Sequence, residues 1–263
     1  MDNRTIERFR AWFDEYVAGF YGDDEYLNAN IELKDKHSRR TCEEMLYLAD
    51  ELGLDDNQRR IAEATAIFHD IGRFEQFKKY QTYNDPRSIN HCLFGIDILR
   101  KSNALDGIDG GERDLIEKAI EYHGMRELPA DLNGDCLLFS QMVRDADKLD
   151  IFYVVTSYYE DYARDPDNFK LEVELPNEPW YSEDVLQLVL DGRRMDYHIL
   201  KTWNDMKLCQ LSWIYDINFA ATLKRIRRRG FVEKIIGYLP QNEEIKRVEQ
   251  TVLDYIDKRV EEG

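Results

Sequence analysis

Apolar residues recur along the chain at helical spacing. Thr41, Met45, Leu48 and Leu52 form one stripe, which ends at Gly53, a residue suited to closing a helix. Ala64, Ile67, Phe68 and Ile71 form a second stripe, expected to end at Gly72. His91 is expected to share a face with Phe94 and Ile98, and His123 with Ile116, Ala119 and Ile120. Ile245, Val248, Val252, Tyr255 and Ile256 mark a final amphipathic helix. Strand patterning is sparse. Leu171–Leu175 alternates apolar and acidic residues, but it is short and lies among Pro166, Pro176 and Pro179, so a loop or brief edge segment is expected. The stretch from Gly72 to Ser88 carries Asn84, Asp85 and Pro86 and reads as a long loop, of a length often tied to function. The pattern predicts an all-α fold.

The proline-bearing stretch 164–182 is the expected linker or loop. It would separate a core over 1–163, with its own N-terminal helix, from a helical layer over 183–263 packed on that core. The 263 residues suffice for a full core. A formal net charge of −17 repels nucleic-acid polymers and anionic membranes, which are not expected as partners. A small phosphate remains allowed, because a metal site reverses the local potential. Cys42, Cys92, Cys136 and Cys209 form no CxxC pair and read as reduced thiols. Cys92 adjoins His91, so it is either a ligand or a packing residue. A helical neighbour points about 100° away, which favours packing. Met1–Arg10 is charged without an apolar core, and no apolar run approaches the roughly 20 residues of a membrane span. The cytoplasm is the expected location.

The chain has five histidines. His37, eight residues before Met45, falls on the stripe of the first helix; His91 and His123 also fall on apolar stripes, and His69 ends one and is followed by Asp70. A single histidine on an apolar face is usually a satisfied core residue. Four so placed, with an acidic neighbour, point instead to a transition metal, since imidazole and carboxylate suit zinc, iron, manganese or cobalt. Adjacent helical side chains diverge, so His69 and Asp70 both reach one ion only at a helix end, or if the carboxylate spans to a second ion.

The order His37, His69-Asp70, Asp147 resembles that of the HD-domain metal-dependent phosphohydrolases. The strings HDIGRF at 69–74, INHCLFG at 89–95, EYHG at 121–124 and RDADKLD at 144–150 are similar too, over residues 30–155. LSWIYDINFA at 211–220 resembles a segment of a bacterial subgroup whose substrates are unsettled. The resemblance implies a phosphodiesterase-like helical core of about five helices with a C-terminal helical extension. It implies one or two divalent transition-metal ions (Mn, Fe, Co, Ni or Zn). His37, His69, Asp70 and Asp147 would hold the first, His91 and His123 the second, with Asp70 bridging. Arg73 stands where the cyclic-dinucleotide branch has a lysine, and that branch's GYP signature is absent, which argues against cyclic dinucleotides.

The implied reaction is hydrolysis of a small phosphomonoester, nucleotide or related ester by metal-activated water, in which Asp147 would orient the nucleophile. Arg73 and Lys148 flank ligand positions and are the first candidates for contacting the phosphate. Arg144, Lys78, Lys79 and Arg87 follow. A di-iron oxygenase would use the same ligands. A non-catalytic nucleotide-binding domain is the other rival, disfavoured because none of the six ligands is missing. A homo-oligomer is allowed. The basic run Lys224, Arg225, Arg227, Arg228 and Arg229 reads as the cationic end of a helix stopping at Gly230. His198 lies outside the ordered set. Tyr153, Tyr158, Tyr159 and Tyr162 read as core aromatics.

Overall fold

The computed structural model describes residues 1–166 and 175–262. All repetitive structure among them is helical. The helices are α1 (Asn3–Ala18), α2 (Glu25–Glu51), α3 (Asp56–Phe68), α4 (Ile71–Tyr80), α5 (His91–Lys101), α6 (Gly110–His123), α7 (Gly134–Arg164), α8 (Glu183–Leu190), α9 (Trp203–Ser212), α10 (Ala220–Arg229), α11 (Phe231–Gly237) and α12 (Glu243–Glu262). None among the described residues is long and apolar enough to cross a membrane. The chain divides into two compact units, Met1–Asp150 and Ile151–Gly263, so the division falls inside α7. The stretch 164–182 lies within the second unit, and residues 171–174 of the alternating segment are outside the described residues.

In the first unit, α1 buries Ile6, Phe9, Phe13 and Val17, one per helical turn. Phe9 meets Phe68 edge-on with centroids 5.2 Å apart, and Phe13 and Phe20 both meet Phe74. Such aromatic contacts add to the area they bury. Helix α2 buries Thr41, Met45 and Leu48 and is followed by Gly53 at φ +65°, as its pattern predicts. A capping box of Asp55 and Gln58 starts α3, whose residues from Ile61 to Phe68 are all buried. Helix α3 packs on α1, α2 and α6 and forms the centre of the unit.

Three expectations are corrected here. The second stripe does not run through to Gly72, because the chain breaks at His69–Asp70 and Ile71 opens a new helix. The expected loop from 72 to 88 is largely that helix, since Phe74 and Phe77 repeat at helical spacing and are fully buried. The buried face of α5 runs through His91, Cys92, Gly95, Ile96 and Leu99, leaving Phe94 and Ile98 half-buried. The cause of this rotation is a contact between α4 and α5. A Cβ on Gly72 would overlap the His91 carbonyl oxygen and lie 2.8 Å from the Gly95 nitrogen. Two glycines thus let the backbones touch and fix which side of α5 turns inward.

In the second unit, α8 buries Val185, Leu186 and Val189 against α9 and α12. Helix α12 answers with Ile245, Val248, Val252 and Ile256, and Phe152 stacks on Phe231. Helix α10 ends at Gly230 (φ +65°) with Arg227, Arg228 and Arg229 in its last turn, the dipole-complementing arrangement its sequence predicts.

Gly72→Ala tests the glycine contact. Backbone cannot yield as a flexible side chain can, so the substitution is expected to cost at least the roughly 1–3 kcal/mol of an overpacked core in chemical denaturation. Gly110→Ala, where an added Cβ meets nothing within 4 Å, is expected to be neutral or slightly stabilising. Equal effects at the two positions would refute the contact's role.

Candidate metal centre

His69 closes α3 and Asp70 is the N-cap of α4. An aspartate there normally accepts a backbone N–H of the first turn, an interaction worth about 1 kcal/mol. Asp70 makes no such side-chain bond; only its carbonyl accepts from the Arg73 N–H, at 2.9 Å. Its buried carboxylate points elsewhere. Oδ2 lies 3.4 Å from His37 Nε2 and 3.8 Å from His69 Nε2. Oδ1 lies 3.4 Å from His91 Nε2 and 3.8 Å from His123 Nε2. Within each pair the Nε2 atoms are close, 3.3 Å for His37 and His69 and 3.2 Å for His91 and His123. Asp147 Oδ1 joins the first pair, 3.1 Å from His37 Nε2 and 3.9 Å from His69 Nε2.

The opposite edge of every ring is committed. His69 Nδ1 donates to the Ala66 carbonyl at 2.7 Å and His123 Nδ1 to the Ile120 carbonyl at 2.6 Å. His37 Nδ1 meets Asp150 Oδ2 at 2.6 Å, and His91 Nδ1 meets Asp85 Oδ2 at 2.6 Å. A carbonyl can only accept, so His69 and His123 carry their proton on Nδ1 and present an Nε2 lone pair inward. The carboxylates favour the same tautomer in the other two. In their neutral forms, four imidazoles and two carboxylates therefore converge with their acceptor atoms facing one another. A divalent cation fits that donor set, and separations of 3.1–3.9 Å are near the edges expected for bonds of about 2.0–2.2 Å. Two groups could each hold an ion: His37, His69 and Asp70, and His91, Cys92 and His123.

Residues 35–151 match the family model of the HD domain, a span that holds every one of these ligands. This segment is an HD domain. The match supports a place for that segment among the HD-domain metal-dependent phosphohydrolases. No curated protein and no solved structure gives a significant match.

The HD domain brings all six sequence-derived ligand residues, His37, His69, Asp70, His91, His123 and Asp147, to one place. The flanking cations fare differently. Arg73 Nη1 donates to Gln76, the Tyr83 carbonyl and Asp85, at 2.6–2.9 Å, while its Nε lies 3.4 Å from Asp70 Oδ1. Lys148 is half-buried on α7 beside Asp147. Arg144 donates to the carbonyls of His123, Met125 and Arg126 and anchors the end of α6. Lys78 lies over the Phe20 ring, Lys79 over Phe94, and Arg87 is exposed. His198 is exposed in the second unit. Tyr159 is buried, as expected for a core aromatic, but Tyr153 is 45% exposed.

Several functional residues escape sequence reasoning. Lys34 pairs with Asp70 Oδ2 at 2.7 Å, and its place one turn before His37 was the available signal. Asp150 sits three residues after Asp147 and is held by Arg40. Asp85, in a single 3-10 turn, and Gln76, a polar residue buried on α4, carry no apolar periodic signal. Cys92, expected to pack, is buried, and its Sγ also lies 3.3 Å from His91 Nε2 and 3.6 Å from His123 Nδ1.

Burial alone would raise the carboxylate pKa of Asp70, but Lys34 and the surrounding imidazoles hold it well below the ordinary range. Burial and Lys34 push His37 down; hydrogen bonds to Asp147, Asp150 and Asp70 outweigh them and lift it to about 10. Burial takes His69 down to about 4. Burial raises Asp85, but the His91 bond outweighs it and brings it to about 2.

In the metal-free protein at neutral pH, His37 therefore keeps a proton that a bound ion replaces. Burial pushes His123 down too, but Cys92 and Asp70 outweigh it and hold it well above the ordinary value, so metal binding at pH 7–8 is expected to release at least one proton per chain, and affinity to weaken as pH falls further below the raised His37 value. Calorimetric titration in buffers of different ionisation enthalpy reads this directly. Binding without proton release would contradict the arrangement.

Proposed function

We propose that the HD domain is a dinuclear phosphohydrolase that cleaves a small phosphomonoester, nucleotide or related phosphate ester. The observation that carries this reading is the division of Asp70: each carboxylate oxygen faces its own pair of imidazole Nε2 atoms. That is the arrangement of a carboxylate bridging two ions. Bound divalent ions (Mn, Fe, Co, Ni or Zn) lower the pKa of coordinated water toward neutrality and neutralise charge on phosphoryl oxygens.

The chain's own residues supply the rest. The Asp147 side chain is 21% exposed while the histidines are buried, so substrate and water reach the cluster on the Asp147 side. Its carboxylate is placed to orient the attacking water. Lys34, 17% exposed with its ammonium on Asp70, and Arg73, 16% exposed, give that opening positive charge suited to a phosphate. Lys148, next to Asp147, is a further candidate. Arg73 also holds Asp85, and Asp85 orients His91, so Arg73 supports the second pair as well. The chain's negative charge elsewhere suits a small anion drawn in by local cations rather than a nucleic-acid polymer.

A screen of small phosphate esters against metal-loaded protein, run without oxygen, tests the reaction. Hydrolysis is expected to proceed anaerobically; turnover that requires oxygen would replace this reading with the di-iron oxygenase. Asp70→Ala is expected to lose both ions and turnover together.

Asp85→Asn and Asp150→Asn probe the supporting carboxylates. Each is expected to lower metal affinity or activity about 10–100-fold, as removal of such partners typically does. Near-normal values in both would contradict their role in orienting His91 and His37.

A further inference from the structure

We propose that Cys92 is a metal ligand: its thiolate joins Asp70 Oδ1, His91 Nε2 and His123 Nε2 around the second ion. The inference rests on the two-ion reading above.

The thiol is buried on the inward face of α5 that the glycine contact defines. Its Sγ lies 3.3 Å from His91 Nε2 and 4.0 Å from His123 Nε2. The two Nε2 atoms are 3.2 Å apart and lie 3.4 and 3.8 Å from Asp70 Oδ1. A tetrahedral ion with bonds of about 2.0 Å to N or O and about 2.3 Å to S has edges of roughly 3.3–3.6 Å. These five separations reach tetrahedral values with movements of about half an ångström, the largest at the sulfur, which now sits nearer His123 Nδ1. Gly124 makes the room. A Cβ there would lie 2.5 Å from Cys92 Sγ, so the residue after His123 lacks a side chain where the sulfur stands. On binding, the sulfur–metal bond forms as the thiol proton passes to solvent.

The consequence is an unequal pair of sites. The first offers only nitrogen and oxygen donors and is bounded by the partly exposed Asp147. The second is closed, buried and contains a soft donor, which favours zinc, cobalt or iron over manganese.

Anaerobic titration of metal-free protein with Co(II) tests this. Two equivalents are expected to bind, with a near-ultraviolet sulfur-to-cobalt charge-transfer band growing with one of them. Cys92→Ser and Cys92→Ala, checked for helix content by circular dichroism, are expected to lose the band. In the wild-type protein, X-ray absorption is expected to show a sulfur scatterer at about 2.3 Å, which needs no variant to fold. Two equivalents without band or scatterer overturn the ligand assignment and leave the two-ion reading standing. One equivalent without either overturns both. One equivalent with a band that Cys92→Ser removes sustains the thiolate and overturns the two-ion reading. A band that survives in both variants belongs to Cys42, Cys136 or Cys209 and overturns the assignment.

Discussion

The withheld side chain of Asp70 is the interaction on which the HD domain depends. It occupies the N-cap of α4, where a carboxylate ordinarily stabilises its own helix, and it serves the histidine cluster instead. The break between α3 and α4 makes this possible. One continuous helix would send His69 and Asp70 about 100° apart, whereas the two-helix junction lets both face one centre. The Gly72–Gly95 contact then sets α5 so close that His91 reaches the far oxygen of the same carboxylate.

The surrounding structure removes freedom from the ligands. Each imidazole is held by its Nδ1, two on helix carbonyls and two on carboxylates, and those carboxylates are in turn held by Arg40, Arg73 and Gln76. Burying this many ionisable groups without a cation is costly, because lone pairs face one another in a region of low dielectric. Lys34 and a protonated His37 offset part of that cost in the metal-free protein. A site arranged this way lowers the reorganisation needed when ions bind.

Much of this was legible in the sequence, for reasons that differ residue by residue. His37 and His123 lie on regular stripes whose periodicity places them inward without tertiary information, and His69-Asp70 carries its neighbour with it. The resemblance to HD-domain proteins then ordered the ligands. That Cys92 shares the buried face with His91 is not visible locally, because periodicity within α5 alone favours the face of Phe94 and Ile98. The rotation that buries Cys92 comes from Gly72, some twenty residues away, and no local pattern reports a contact between two backbones. Helix α4 was hidden by the turn residues Asn84, Asp85 and Pro86 just beyond it, which made the whole stretch resemble a loop. Asp85 could not be found at all by periodicity, since it acts from a single 3-10 turn on a histidine six residues later.

A crystal structure of the zinc- or cobalt-loaded protein, phased to show anomalous scatterers, tests the bridging role of Asp70. Two peaks are expected roughly 3.5–4 Å apart, one beside Asp70 Oδ2 with His37, His69 and Asp147, the other beside Oδ1 with His91 and His123. A single peak at full metal saturation, or peaks that leave one oxygen of Asp70 without a metal neighbour, would contradict it.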